Sequence, residues 1–432
     1  MEMGRGQSAA STRLPMAALA VILTAALGHA AEVNAVDYGA RPDPEVDATE
    51  AIQGALDACA EAGGGVTHLP AGQYRLEGSL TVPTGVTLQG VWKAPHYSSP
   101  EVGTTLLAYG GRGSTDGPPL IMLQSNSTVR GITVYYPDQT VDDIQPYPWC
   151  IQGRGTHLNV VDCTLLNPYL GIDFGTYPHE MHYIRNVYGL PLKVGIRLDK
   201  CTDIGRVENV HFNPNSWTRS GTPTSPTGDD VARLVEHMQQ NLVAFEIGRS
   251  DWEYMLNTFV WGAKVGYRFY ESDRGPTNGN FLGIGADWCV TPLLVENTQG
   301  PGLLITNGEF VGSPACEAVV KVMPSNTGTL QLSNCSFWGP HNRVVEAEGS
   351  GMVSLSQCNF HHWGRDPGIP ALDIISGSLT LQACQFGQDK PHLRLGESVA
   401  SAVIIGNTFR GDPQIVNESE GQVEIMANVT RP

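Results

Sequence analysis

Residues 34–90 read NAVDYGARPDPEVDATEAIQGALDACAEAGGGVTHLPAGQYRLEGSLTVPTGVTLQG, and the fold is decided there. Val36 to Gly39 predicts a short extended opening. Asp47 to Ala60 predicts an amphipathic helix, with Asp47 and Glu50 spaced as an N-terminal capping box. Ala51, Ile52, Ala55, Leu56 and Cys59 recur at helical spacing and form its apolar face. Gly63-Gly64-Gly65 ends that helix, and Val66-Thr67-His68-Leu69-Pro70 begins the first of many short strands.

Further along, one six-residue phrase recurs: LSNCSF at 332–337, LSQCNF at 355–360 and LQACQF at 381–386. IIGNTF at 404–409 carries Asn407 in place of the cysteine, and VVDCTL at 160–165 and VENVHF at 207–212 are looser copies. Phe310, Phe337, Phe360, Phe386 and Phe409 follow one another at intervals of 27, 23, 26 and 23 residues. A short strand repeated at that period is a solenoid signal. A leucine-rich repeat would need its own Leu/Asn consensus, which is missing. The recurring Cys and Phe therefore predict internal ladders, each residue stacked on its counterpart one coil away. Strands about 4.8 Å apart bring sulfurs close, but parallel side chains give poor disulfide geometry. Free thiols buried as small hydrophobes are expected, as is consistent with the odd count of nine cysteines.

The 34–90 pattern resembles the N-terminal signature of pectate-lyase-superfamily proteins, the group of polygalacturonases and rhamnogalacturonases. The resemblance implies an all-β, right-handed parallel β-helix whose open end is plugged by an N-terminal capping α-helix. It covers about sixty residues and fixes a scaffold rather than an activity. The polygalacturonase motifs N-T-D, D-D, G-H-G and R-I-K are not reproduced: Asp229-Asp230 falls in an insertion, and Arg197-Leu198-Asp199-Lys200 only echoes the last. The W-x-D-H and R-x-P-x-x-R runs of the founding pectate lyases are missing too. No catalytic residue is carried over by motif.

The first thirty residues predict a secretory signal peptide: Arg5 and Arg13, an apolar run from Met16 to Leu27, and small residues at Gly28-His29-Ala30. Residues 31–432 are then expected as one β-helix domain, secreted or periplasmic. No later stretch is apolar enough to cross a bilayer. The formal charge of −17 argues against general binding of nucleic acid or anionic lipid. Nothing in the sequence marks an oligomer.

A second repeat lies between copies of the first. Leu170–Phe174, Val194–Leu198, Ala244–Ile247 and Val265–Phe269 align, with later copies at Val319–Val322, Val344–Ala347 and Ala371–Ile374. The step from Ile196 to Phe245 is 49 residues, two coils or one coil plus an insertion. Alternation turns the central residue outward, giving the column Asp173, Arg197, Glu246, Arg268, with Lys321, Glu346 and Asp373 beyond. This column reads either as an ion-pair ladder on a solvated face or as the floor of a substrate groove. In a hydrolase, Asp173 and Glu246 are the candidate acid and base. Two strand spacings put them roughly 9–10 Å apart, near the upper end of the inverting range of about 6.5–9.5 Å. In a lyase, Arg197 or Arg268 would neutralise a uronate carboxylate or take the α-proton, although an arginine is normally protonated and needs unusual help to act as a base. Asp251 and Glu253, in the run Arg249-Ser250-Asp251-Trp252-Glu253-Tyr254, are alternative carboxylates.

Insertions are expected at 92–119, 137–149 and 213–241. Each carries a tryptophan (Trp92, Trp149, Trp217), and Tyr97 and Tyr147 lie beside two of them. Trp149, Trp217, Trp252 and Tyr147 are the candidate sugar-stacking rings. His179, His182 and His211 lack metal-ligand spacing and read as hydrogen-bonded structural residues. No cofactor is expected, although the resemblance leaves room for calcium. The leading expectation is a glycoside hydrolase acting on a polysaccharide. The alternatives are a lyase acting on a uronate chain and a non-catalytic carbohydrate-binding or surface-interaction module.

Overall fold

Consecutive turns of the chain add strands to three parallel ladders. In the computed structural model, residues 30–93 and 100–432 are described; nearly all of the signal-peptide segment, and Tyr97, lie outside them. The first sheet starts at Ala31–Asn34, takes Gly65–His68 and Val86–Gln89, and continues through Tyr183–Gly189, Arg206–Phe212 and Thr329–Ser333. The second runs from Gly72–Leu76 and Thr104–Ala108 to Ser336–Trp338 and Asn359–Phe360. The third contains Trp149–Gly153, Leu170–Phe174, Val194–Leu198, Val243–Ile247 and Val265–Phe269 in successive coils. The architecture is a parallel β-helix.

The repeated phrase is the corner between the first and second sheets. Leu332 and Ser333 end one strand, Asn334 turns left-handed at φ 54°, Cys335 is buried, and Ser336–Trp338 begins the next. Asp162, Asn186, Asn209, Asn257, Asn307, Gln357 and Ala383 hold the same conformation at equivalent corners. Short polar side chains tolerate that region better than most, which explains the preference for Asn and Asp.

Inside, the ladders form as expected. The Phe310–Phe337, Phe337–Phe360, Phe360–Phe386 and Phe386–Phe409 ring centroids are 5.6, 5.6, 4.8 and 4.7 Å apart. All nine cysteines are free and buried. Where Asn407 replaces cysteine it stays buried without strain on its polar atoms: Oδ1 accepts from the Cys384 amide at 2.8 Å and Nδ2 donates to the Leu381 carbonyl at 3.0 Å. One contiguous buried cluster runs from Ala35 to Phe409.

The N-terminal stretch departs from its reading in detail. The extended opening is Ala31–Asn34, and Ala35–Tyr38 is a 3-10 turn, closed by Asn34 Oδ1 on the Val36 amide and by Gly39 at φ 98°. Helix α1 (Thr49–Glu61) starts two residues later than Asp47. Asp47 still serves its first turn, accepting from the Thr49 amide (3.0 Å) and hydroxyl (2.6 Å), but its third bond goes to the Glu77 amide rather than into a box with Glu50. Ile52, Ala55, Leu56 and Cys59 are buried in the main core, as the periodicity predicted.

The 49-residue step is one coil plus an insertion, because Val194–Leu198 pairs directly with Val243–Ile247. That insertion holds helices α2 (Asn215–Thr218) and α3 (Asp229–Asn241). The 92–119 segment is interrupted by the strand Thr104–Ala108, and Trp149 opens a strand instead of closing a loop. Among the described residues, no helix is long and apolar enough to cross a membrane.

Two measurements check this packing. Native protein should show no fast-reacting thiol towards a water-soluble disulfide reagent, whereas denatured chain should titrate all nine cysteines. Phe337→Ala should lower unfolding free energy by about 3–5 kcal/mol, read from urea midpoints; a loss below 1 kcal/mol would contradict a packed ring stack.

Candidate functional site

The charged column is a physical ladder. Backbone register pairs Gln152 with Asp173, Asp173 with Arg197, Arg197 with Glu246, and Glu246 with Arg268. Leu294 follows Arg268 and separates it from Lys321, after which Glu346, Asp373 and Arg394 continue the file. Strands of alternating apolar character hold the flanking Ile172, Ile196, Phe245 and Tyr267 in the core, which forces the central side chains out.

Asp173 is nonetheless sealed, with no exposed surface. Its Oδ1 accepts from the Gly175 amide (3.0 Å), the Thr176 amide (3.2 Å) and Arg197 Nε (2.8 Å), and its Oδ2 accepts from Gln152 Nε2 (2.6 Å). Four donors fix this carboxylate as an anchor for the turn after its strand and for Arg197. It is not placed as a free acid or base. Arg197 reaches across to lie 4.7 Å over the Trp149 ring and donates to Thr176 Oγ1 at 2.8 Å.

Glu246 meets Arg268 through Oε1 at 2.6 Å, and Arg268 also forks onto Glu296 at 2.7 and 3.2 Å. Two further residues stand beside this network, each two positions beyond a ladder arginine. Asp199 Oδ1 accepts from the Lys200 and Arg249 amides and the Ser272 hydroxyl, at 2.8, 2.7 and 2.8 Å. Tyr270 lies against the Arg268 guanidinium, 5.0 Å from its ring centroid. Asp199 and Tyr270 crowd together over Gly248, where a Cβ would sit 2.7 Å from both Asp199 Oδ1 and Tyr270 Cζ; only glycine permits this approach. Burial, then Asp199 and Glu246, push the Tyr270 phenol above its ordinary value, against the opposing pull of Arg197 and Arg268. Tyr270 is a protonated hydroxyl at neutral pH. Sequence alternation carried to the strand ends would have found both residues, and the I151-Q152 alignment would have found Gln152.

Of the expected residues, Trp149, Asp173, Arg197, Glu246 and Arg268 share this face. Asp251 lies at the following corner, bonded to Arg249 Nη2 and Gln299 Nε2 at 2.7 Å each. Glu253 is wholly internal, against His182 and the Ser250 hydroxyl, so it faces no substrate. Trp217 and Tyr147 are corrections as well: both are fully buried. Trp217 lies in the α2 turn, and Tyr147 packs edge-on to Tyr136 at 4.8 Å. In both cases the apolar surface of the ring pins its loop instead of meeting a sugar. Trp252 is 57% exposed, on a left-handed residue at φ 64°.

The long insertion borders the charged face. Leu234 and Met238 of α3 are buried, His237 Nε2 donates to the Leu192 carbonyl at 3.0 Å, and Arg233 pairs with Asp142 of the preceding insertion. Behind the face, His179 and His182 bond to each other at 2.9 Å and His182 meets Glu253 at 3.1 Å. Burial disfavours the His182 cation, but Glu253 outweighs it and raises His182; burial and then His182 lower His179.

Residues 32–146 match the family model described as rhamnogalacturonase A/epimerase, pectate lyase-like. Alginate lyase 7 of Azotobacter vinelandii is 51% identical over 57 residues, 13% of this chain and 7% of that protein. Mannuronan C5-epimerase AlgE3 of the same organism is 42% identical over 66 residues, 14% of this chain and 4% of that protein. The matched segments are thus below a tenth of those relatives' length. The N-terminal fragment of bacteriophage phi29 gene product 12 superposes with a TM-score of 0.55 at 11% identity, covering 91% of this chain and 72% of that one; this is a likeness of fold.

Removing Arg197 would leave Asp173 buried with one fewer donor. Arg197→Ala should therefore cost about 2–3 kcal/mol after allowance for the partial exposure of the arginine, measured by urea unfolding. An unchanged midpoint would show that the three remaining donors suffice.

Proposed function

We propose that this pectate-lyase-like parallel β-helix is carbohydrate-active and takes a uronate-containing polysaccharide along its third sheet, abstracting the proton α to a uronate carboxylate. The observation that carries this reading is the Arg197–Glu246–Arg268 ladder with Tyr270 beside it. Arginines offer forked donors suited to a carboxylate, and they supply locally what an overall charge of −17 lacks. Glu246, held through one oxygen by Arg268, takes the C5 proton. Arg197 and Arg268 bind the uronate carboxylate and stabilise the charge that develops on it. Tyr270, kept protonated, gives its proton to the departing glycosidic oxygen as the C4–O bond breaks and the C4–C5 double bond forms. Reprotonation of C5 without departure would instead invert the sugar. The names of the alginate lyase and the mannuronan epimerases that match short segments agree with uronate as the substrate class. Hydrolysis by an Asp173–Glu246 pair is the weaker reading, because Asp173 is buried and fully bonded.

Mannuronan, polygalacturonate and a neutral glucan would be incubated with the protein. Ultraviolet absorbance of unsaturated uronate, deuterium uptake at C5 and new reducing ends would be followed together. Absorbance or deuterium uptake on an acidic polymer alone is the expected result. Reducing ends without either would establish hydrolysis instead, and binding without turnover would leave a carbohydrate-binding module. Tyr270→Phe should lower kcat by about 10²–10⁴-fold with an unchanged urea midpoint; full activity would remove Tyr270 from the chemistry.

A further inference from the structure

Beneath the charged face, three donors from two coils converge in the interior. His179, Cys201 and Ser250 occupy equivalent positions of successive turns, joined by parallel bridges His179–Cys201 and Cys201–Ser250. His182 follows three residues after His179. One nitrogen of each imidazole and the Cys201 sulfur all lie within 4.8 Å of one another, and all three residues are buried. We propose that His179, His182 and Cys201 form a buried site for a borderline-soft divalent cation of the zinc type. This inference does not rest on the reading of the outer face.

The donor set fits that class of ion: two imidazole nitrogens and one thiolate suit zinc, and a hard cation such as calcium would demand oxygen. Zinc–nitrogen bonds of about 2.0–2.1 Å at a tetrahedral angle need nitrogens about 3.3 Å apart, and the two imidazoles now stand at 2.9 Å. The nitrogens must open by a few tenths of an ångström, and the Cys201 sulfur, now within 4.8 Å of both, must settle about 3.6 Å from each. The surroundings are those of a metal-bound histidine. The other nitrogen of His182 faces Glu253 at 3.1 Å, and Ser250 Oγ donates to the second Glu253 oxygen at 2.6 Å. A carboxylate behind a ligating imidazole orients the ring and raises its basicity. Gly205 makes room for this pair: a Cβ there would lie 2.0 Å from His182 Cε1 and 2.3 Å from Glu253 Oε2.

The nitrogens that would bind are His179 Nε2 and His182 Nδ1, which share one proton at 2.9 Å, while the Cys201 thiol makes a long bond to the Asp203 carbonyl, at 3.5 Å, and lies against His182. On binding, the thiol proton and the proton shared between the imidazoles leave to solvent, and the cation takes both places. Three protein donors leave one position for a water. Because the site is closed off, the ion would enter as the chain folds and tie the His179 coil to the Cys201 coil.

The test uses the whole chain, expressed in zinc-supplemented medium without chelator. Elemental analysis should find one zinc per chain, retained on dialysis of the native protein and released when chelator is added with urea. Chain refolded with cobalt(II) should show a thiolate-to-metal charge-transfer band and tetrahedral ligand-field bands. Cys201→Ser should abolish the charge-transfer band, whereas Cys316→Ser, at a buried thiol in another coil, should leave it intact. Glu253→Gln should weaken zinc affinity about 10–100-fold. Wild-type protein that retains no zinc and gives only the spectrum of hydrated cobalt would overturn the site, whether or not any variant folds.

Discussion

Parallel stacking in register places every side chain against its counterpart one coil away, and the rest of the molecule follows from that constraint. For apolar residues the repetition is favourable, so Phe310 to Phe409 form a ring stack and Cys335, Cys358 and Cys384 a file of small hydrophobes. For charges it is not. Two like charges about 5 Å apart repel by about 3 kcal/mol at an effective dielectric near 20, more than an aromatic contact of about 0.5–1.5 kcal/mol returns. A charged file on such a sheet must alternate in sign or take a counter-charge from the side, as Glu346 and Asp373 do from Arg343. Asp173–Arg197–Glu246–Arg268 obeys this, with Arg268 closing the file on Glu296.

The same constraint decides what the sequence could disclose. A structure that repeats in space repeats in the chain, so the corner phrase, the inward phenylalanines and the outward charges were all legible, down to the partners on adjacent strands. Departures from the repeat were harder to read. Trp217 and Tyr147 sit in insertions, where no period says which way a ring points, and there the apolar cost of exposure turned both inward. Glu253 reads in the sequence as one of two carboxylates in the run 249–254, of which Asp251 and the neighbouring Trp252 do reach solvent. The left-handed turn at Trp252 shifts the alternation and sends Glu253 inside, to His182. Asp173 kept its predicted place but not its predicted freedom, since the bonds that seal it come from Gln152 and from backbone amides of its own turn. Asp199 and Tyr270 were within reach of the pattern, one alternation further along strands whose ends only the structure defines.

The corner leading into the third sheet takes the two insertions that border the charged face. Residues 137–148 and the α2–α3 segment both lie there, joined by Arg233 and Asp142. The opposite corner is a tight turn on left-handed Asn and Asp in the later coils, whereas fourteen residues, 90–103, separate Val86–Gln89 from Thr104–Ala108 near the N-terminal end. Two of the long loops thus meet on the edge of the rod next to the charged face, where a bound chain would meet them.

Leu294 interrupts the charged file between Arg268 and Lys321. Beyond it the same sheet carries Lys321, Glu346, Asp373 and Arg394; the two adjacent carboxylates are held by Arg343, which pairs with both, and Glu418 is a further partner of Arg394. The protein therefore carries its own reference state. One block of the file is bordered by the helical insertion and by Tyr270, and the other, built by the same register rule, has neither beside it. Whatever differs in ligand affinity between the two blocks measures what the rim and the phenol add to an otherwise ordinary electrostatic scaffold.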